Sequence, residues 1–119
     1  MENTGFKGLQ VWQMAKDLAV QICQLVEQDA IRRNFALVDQ MRRSAISVPS
    51  NIAEGDERDT YRDAVRFLYI AKGSLAELRT QLEIAADIGN INQNDFIQFE
   101  DQCKSIGRML GSLIKARSK

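Results

Sequence analysis

Between Met41 and Gly55 the chain reads MRRSAISVPSNIAEG, which sets an Arg-Arg pair, the one proline, and Ser44, Ser47, Ser50, Asn51 and Glu54 among apolar residues. Core packing alone does not ask for so many polar groups. Asn51 and Glu54 flank Val48 and Ile52, and Ser74 and Glu77 flank Leu75 and Leu78 in the same way, each pair at spacing three. Polar groups half withdrawn from water need partners. A cross-helix network joining Asn51, Glu54, Ser74 and Glu77 is therefore expected, with an arginine, Arg43 or Arg58, held between the carboxylates. Such a network can fix helix register, build a subunit contact, or form a carboxylate site for catalysis. Helical bundles that hold metals with carboxylates draw on Glu-x-x-His. This chain has no histidine, so it also lacks the commonest general base. No catalytic residue, metal ligand or cofactor is assigned, and the chain is expected not to be an enzyme.

The arginines offer a second chemistry. Arg42 and Arg43 sit beside Met41, while Arg58, Arg62 and Arg66 recur at spacing four and stack along one side of a helix. Lys72, six residues past Arg66, falls off that side. A guanidinium presents a planar fork that grips phosphate at two points. If the two groups share a hairpin surface, they are candidates for contacting a nucleic-acid backbone. Asp56, Glu57, Asp59 and Asp63 interleave with them, however. Asp59 can reach Arg62 and Asp63 can reach Arg66 at spacing three, and Glu54 can reach Arg58 at spacing four. A hairpin laced with ion pairs explains the same residues without a ligand, and both readings stand at this point.

The totals bear on that choice. Lys plus Arg is 16 and Asp plus Glu is 16, a zero balance that does not favour nucleic acid. From Lys104 onward five basic residues (Lys104, Arg108, Lys115, Arg117, Lys119) meet no acid, which suits the C-terminal dipole of a helix as well as a binding tail. The 119 residues suffice for one domain, taken as 1–119, and 45% hydrophobic with 27% charged is ordinary for a globular protein. No run approaches a membrane span, and MENTGFKGLQ lacks the layout of a signal peptide, so a cytoplasmic protein with no membrane partner is expected. Cys23 and Cys103 fall on apolar helical faces and are read as free thiols.

Four heptad-like stripes must position these groups. They are Val11, Ala15, Leu18, Ile22, Leu25; Val38, Met41, Ala45, Val48, Ile52; Ala64, Leu68, Ala71, Leu75, Leu78, Leu82, Ala85; and Phe96, Phe99, Cys103, Ile106, Leu110, Leu113. No segment alternates with period two over a useful length. Thr60 with Asp63 resembles a capping box, Gly89 sits where a helix ends, and Asn92 or Asn94 can cap the last helix. Helices are predicted near 8–28, 33–56, 60–88 and 93–117. Short connections make the fold an all-α, antiparallel up-down-up-down four-helix bundle. Pro49 predicts a kink in the second helix, or a new helix starting there; register continuing through Ile52 favours the kink. Helix one carries a second stripe of Trp12, Ala19 and Val26, and helix three adds Tyr61, Val65, Phe67, Tyr69 and Ile70. Apolar residues beyond the seam argue for burial against another subunit, so a homo-oligomer is expected with Trp12, Phe67, Tyr69 and Ile70 as candidate interface.

The segments LQVWQMAKDLAVQI, DQMRRSAISVPSNIAEGDER and RFLYIAKGSLAELRTQLEIAADIGNI carry a resemblance. Together they cover nearly all of Phe6 to Ile91, and the chain resembles the 23S rRNA intervening-sequence proteins. The same fold includes the accessory protein of diversity-generating retroelements. The positions matching the family's motif are Trp12, Gln40, Arg42, Arg43, Asn51, Glu54, Gly55, Arg58, Gly73, Ser74 and Glu77. The last helix matches only in pattern. The resemblance implies four-helix bundles that assemble into rings, typically pentamers, with no established catalytic activity. It also implies association with RNA or an RNA-handling protein, since the retroelement member is a basic partner of a reverse transcriptase and its RNA. The zero net charge departs from that member. Two functions are carried forward: an RNA-associated accessory protein touching phosphates through Arg42, Arg43, Arg58, Arg62 and Arg66, and a ring-forming scaffold without nucleic-acid contact.

Overall fold

The structure, a computed structural model, describes residues 5–118. Residues 1–4 and Lys119, which belong to the signal-peptide and basic-tail readings, lie outside the described residues. A 3-10 turn, Gly5–Gly8, leads into four helices: α1 (Gln10–Leu25), α2 (Phe35–Asp56), α3 (Tyr61–Asp87) and α4 (Gln93–Arg117). There is no strand among the described residues. The predicted helices recur with bounds shifted by at most three residues. α2 and α3 share the longest contact, α1–α2 and α3–α4 follow, and α1 and α4 meet least. The molecule measures 44 × 26 × 23 Å, an antiparallel four-helix bundle one long helix in length.

The heptad stripes make the core. Every stripe position of the first three helices is buried, as are Phe99, Cys103, Ile106 and Leu110 of the fourth. Ile114 is buried there too, while Phe96 and Leu113 are partly buried at its edge. α2 runs unbroken through Pro49, so the alternative of a fresh helix starting at the proline is not what the chain does. Pro49 is itself buried, and it has no N–H to give the Ala45 carbonyl one turn back. The second stripe of helix one is absorbed within the subunit: Ala19 and Val26 are 7% and 1% exposed. Trp12 is half buried against the core, with its ring 5.2 Å from that of Phe6 in an edge-to-face pair.

Caps and turns follow local chemistry. The Asp63 amide donates to Thr60 Oγ1 at 3.2 Å, and the Asp95 amide to Asn92 Oδ1 at 2.8 Å, so Asn92 rather than Asn94 caps α4. Gly89 adopts φ of 81°. The Gly89 and Asn90 amides then turn back to the Ala86 and Ala85 carbonyls, a glycine-closed helix end. At the same end of the bundle, Asn90 donates to the Ala30 carbonyl at 2.9 Å and accepts from Asn34 at 3.0 Å, tying the two connections together.

One ion pair clamps α3 to α4. Arg79 donates twice to Glu100, at 3.1 and 2.8 Å, in the two-point geometry that favours strong pairing. The Arg79 hydrogen bond holds the Glu100 carboxyl below its ordinary value of 4.5, outweighing the opposing effect of burial. Behind it, burial pushes the Cys103 thiol up to about 12, and the Glu100 charge adds in the same direction.

Two outcomes follow from this clamp and its neighbour. Because the Glu100 carboxyl titrates lower in the folded chain, its contribution is present above pH 4.5 and is lost as the pH falls through the native value. Glu100→Gln should therefore lower stability at neutral pH by about 0.5–1 kcal/mol, discounted because Arg79 is partly solvated, with the deficit vanishing in acid. Urea denaturation of both chains at neutral pH and at about pH 3 measures it. For the cysteines, a thiol-reactive dye should label Cys23, which is partly exposed, while leaving fully buried Cys103 untouched until denaturant is added.

Candidate functional site

The stretch between Met41 and Gly55 lies on α2, with Ser47 and Gly55 facing α3 and the rest divided between core and surface. A Cβ built on Gly55 would meet the Ala64 carbonyl oxygen at 3.0 Å, Phe67 Cβ at 3.4 Å and Leu68 Cδ2 at 3.5 Å. Gly55 thus lets α2 approach the start of α3 backbone against side chain. Two turns earlier on α2, Ser47 Oγ and Ser74 Oγ are 2.8 Å apart across the helices. Asn51 donates to both the carbonyl and the hydroxyl of Ser47, each at 2.9 Å. Ser74 is 7% exposed and the other two are half buried, so this small network satisfies groups that would otherwise be dry.

The network differs from the expected one in its membership. Ser47 is its hub, and no arginine enters it. Arg43 pairs with Asp39 on its own helix at 3.0 Å and is exposed. Glu54 stays at the surface and pairs with Arg58, in the α2–α3 connection rather than on the helix, at 2.6 Å, the one pair read from spacing in this stretch that forms as anticipated. Glu77 is exposed and takes no recorded partner among the described residues. Glu54 lies seven residues past Ser47, on the same side of α2 but in its last turn, where it stays exposed, and Glu77 lies about 60° round α3 from Ser74.

The five candidate arginines are divided by the fold. Arg42 turns toward α1 and meets Glu27 at 2.8 Å, a pairing that sequence spacing does not reveal. Arg43, next in sequence, points about 100° away from it, because that is the rotation per helical residue. Arg58 and Arg66 are brought together: their guanidinium carbons lie 4.5 and 4.6 Å from the centre of the Phe67 ring. Arg62 is exposed with no ion pair recorded among the described residues, and Arg66 has only its ring contact. The anticipated Asp59–Arg62 and Asp63–Arg66 pairs are not among the ion pairs of the structure. Arg42 and Arg43 lie about 20 Å along α2 from its end at Asp56, after which Arg58 follows, so the two groups do not merge into one basic field.

Arg117 at the end of α4 reaches Asp56 at 3.2 Å, which pins the basic C-terminal turn to the α2–α3 corner. The sequence offers Arg117 as a dipole partner or part of a binding tail; a contact across 61 residues leaves no local signal. Between the α1–α2 connection and α2, a hollow of about 450 Å³ gathers Arg32, Arg33 and Arg42, with Glu27 and Asp39 on its wall. The candidate interface residues of α3 are more open: Tyr69 is 55% and Ile70 41% exposed, while Phe67 is half buried under its arginines. No group of three carboxylate or thiol residues able to hold a metal occurs among the described residues. Among the described residues, no helix is long and apolar enough to cross a membrane.

The close approach at Gly55 makes a direct prediction. Gly55→Ala should destabilise the chain by about 1–2 kcal/mol in denaturant titration, because the clash is with backbone that cannot swing aside, even though alanine is the better helix former. A gain in stability would show that the two helices are free to separate there.

Against known proteins, residues 7–112 match the family model described as 23S rRNA-intervening sequence protein. A search of the curated proteins finds no significant match. Among solved structures, the chain is similar to a protein with unknown function from the S23 ribosomal protein family of Bacteroides thetaiotaomicron. The two are 23% identical with a TM-score of 0.82, over 88% of this chain and 98% of that one. That likeness carries the fold. With the family model spanning all but the ends of the bundle, this chain belongs to the 23S rRNA-intervening sequence protein family.

Proposed function

We propose that this protein is a non-enzymatic, cytoplasmic scaffold that works by associating with copies of itself. The observation that supports the reading is how its surface is divided. Arg42, Arg43 and Arg58, which sequence spacing offered to phosphate, are each bound to a carboxylate of the same chain. Large apolar residues stay in water instead: Val20 on α1, Ile46 on α2, and Tyr69, Ile70, Ile84 and Ile88 on α3 are all between 41% and 56% exposed. A chain that pairs Arg42, Arg43 and Arg58 and leaves isoleucines bare is suited to a protein contact more than to a phosphate backbone.

RNA association is the second reading. Arg62 and Arg66 are the observation in its favour, two cations without a carboxylate beside the exposed rings of Tyr61 and Tyr69. Two phosphate contacts give a shallow salt dependence and weak binding, so this surface needs stacking to hold an RNA strand.

Light scattering and filter binding separate the two readings. The scaffold reading expects wild-type particles at a multiple of the 13.5 kDa chain mass and no RNA retained at about 150 mM salt. A 13.5 kDa monomer that retains RNA, and loses it on Arg62→Glu, would replace the scaffold with the accessory-protein reading.

A further inference from the structure

On the outside of the bundle, two helices carry the same pattern at the same spacing. On α1 and the turn that follows it the residues are Lys16, Val20, Cys23 and Glu27; on α3 they are Arg66, Ile70, Gly73 and Glu77. In each set the residues stand at i, i+4, i+7 and i+11, which is one face of a helix about 16 Å long. Each face has a cation at its N-terminal end, an anion at its C-terminal end, and an exposed aliphatic and a small or slender residue between them. Val20 is 46% and Ile70 41% exposed.

Laid antiparallel, the two faces complement each other at every step. Lys16 meets Glu77, Val20 meets Gly73, Cys23 meets Ile70, and Glu27 meets Arg66. Laid parallel, they put cation against cation and anion against anion. The shapes agree as well. A Cβ built on Gly73 would have no neighbour within 4 Å, so the backbone lies bare on the surface of α3. Glycine inside a helix costs about 1 kcal/mol relative to alanine, and nothing in the subunit calls for it there. The α1 face lines a groove of about 430 Å³ with Ala19, Ile46 and Pro49 on its walls, an apolar hollow beside Cys23 of a size for an aliphatic side chain.

We infer that α3 of one copy packs antiparallel onto α1 of the next, with Val20 seated over Gly73 and Ile70 seated beside Cys23. This rests on the self-association reading and specifies its contact. α1 and α3 are not neighbouring helices within a subunit, so each copy offers one face of each kind in different directions. The contact is head-to-tail and extends from copy to copy. The charges at its ends have capacity for it. Glu77 has no recorded partner among the described residues, and Lys16 holds only a 3.0 Å pair with its exposed neighbour Asp17. Glu27 is 71% exposed with one oxygen engaged by Arg42, leaving lone pairs for a second guanidinium.

The test uses the chain's own thiol. Ile70→Cys, treated with a short bismaleimide, should link to Cys23 of the next copy and give a ladder of dimers and larger species on a denaturing gel. Buried Cys103 takes no part. Ile97→Cys, equally exposed on α4 but outside both faces, should give none. Gly73→Gln should keep the fold, since its side chain has open space, yet weaken assembly at least about tenfold by filling the seat of Val20. A ladder from Ile97→Cys but not from Ile70→Cys, or full assembly by Gly73→Gln, in a wild type that light scattering shows to be assembled, overturns this contact alone. A monomeric wild type overturns self-association with it.

Discussion

The close seam between α2 and α3 is the constraint from which the rest of the structure follows. Gly55 removes the one Cβ that would hold the two helices apart at the hairpin corner. The Ser47–Ser74 hydrogen bond then fixes how far they can slide. With depth and register set, Phe67 lies where Arg58 and Arg66 both reach it, and Asp56 lies where Arg117 can close the corner from α4. The same register turns Tyr69, Ile70 and Gly73 outward, because the inner face of α3 is already filled by Leu68, Ala71, Leu75 and Leu78. A looser seam would let these outward residues fold into the gap.

Charge plays the complementary part. A chain with 16 basic and 16 acidic side chains can either segregate them into fields or interleave them. Here they interleave, and the pairs reach between elements: Arg42 to Glu27 joins α2 to the end of α1, Arg79 to Glu100 joins α3 to α4, and Arg117 to Asp56 joins α4 to α2. Exposed pairs add little stability each, about 0–1 kcal/mol. Their larger effect is to tie the helices to one another at a fixed register.

The helices were legible in the sequence because burial on one side of a helix writes itself as a 3–4 spacing, and all four stripes recur as core. Thr60, Gly89 and Asn92 were legible for the same kind of reason, since caps and turns are decided by a few neighbouring residues. What could not be read was rotation of one helix against another. That rotation gave Ser47 rather than an arginine to the polar network, turned Arg42 toward Glu27, and buried Ala19 and Val26 inside the subunit. Asn34 and Asn90, which tie distant connections together, carry no local pattern at all.

The account's central claim is that copies of this chain meet through paired faces of α1 and α3. Exchanging the charges at one end of that contact tests it most directly, with assembly followed by sedimentation velocity. Lys16→Glu and Glu77→Lys should each weaken assembly, because each sets like charge against like. The double variant should restore it, because the attraction returns with its sign reversed. Two single variants that assemble like the wild type, or a double variant no better than either, would contradict the account.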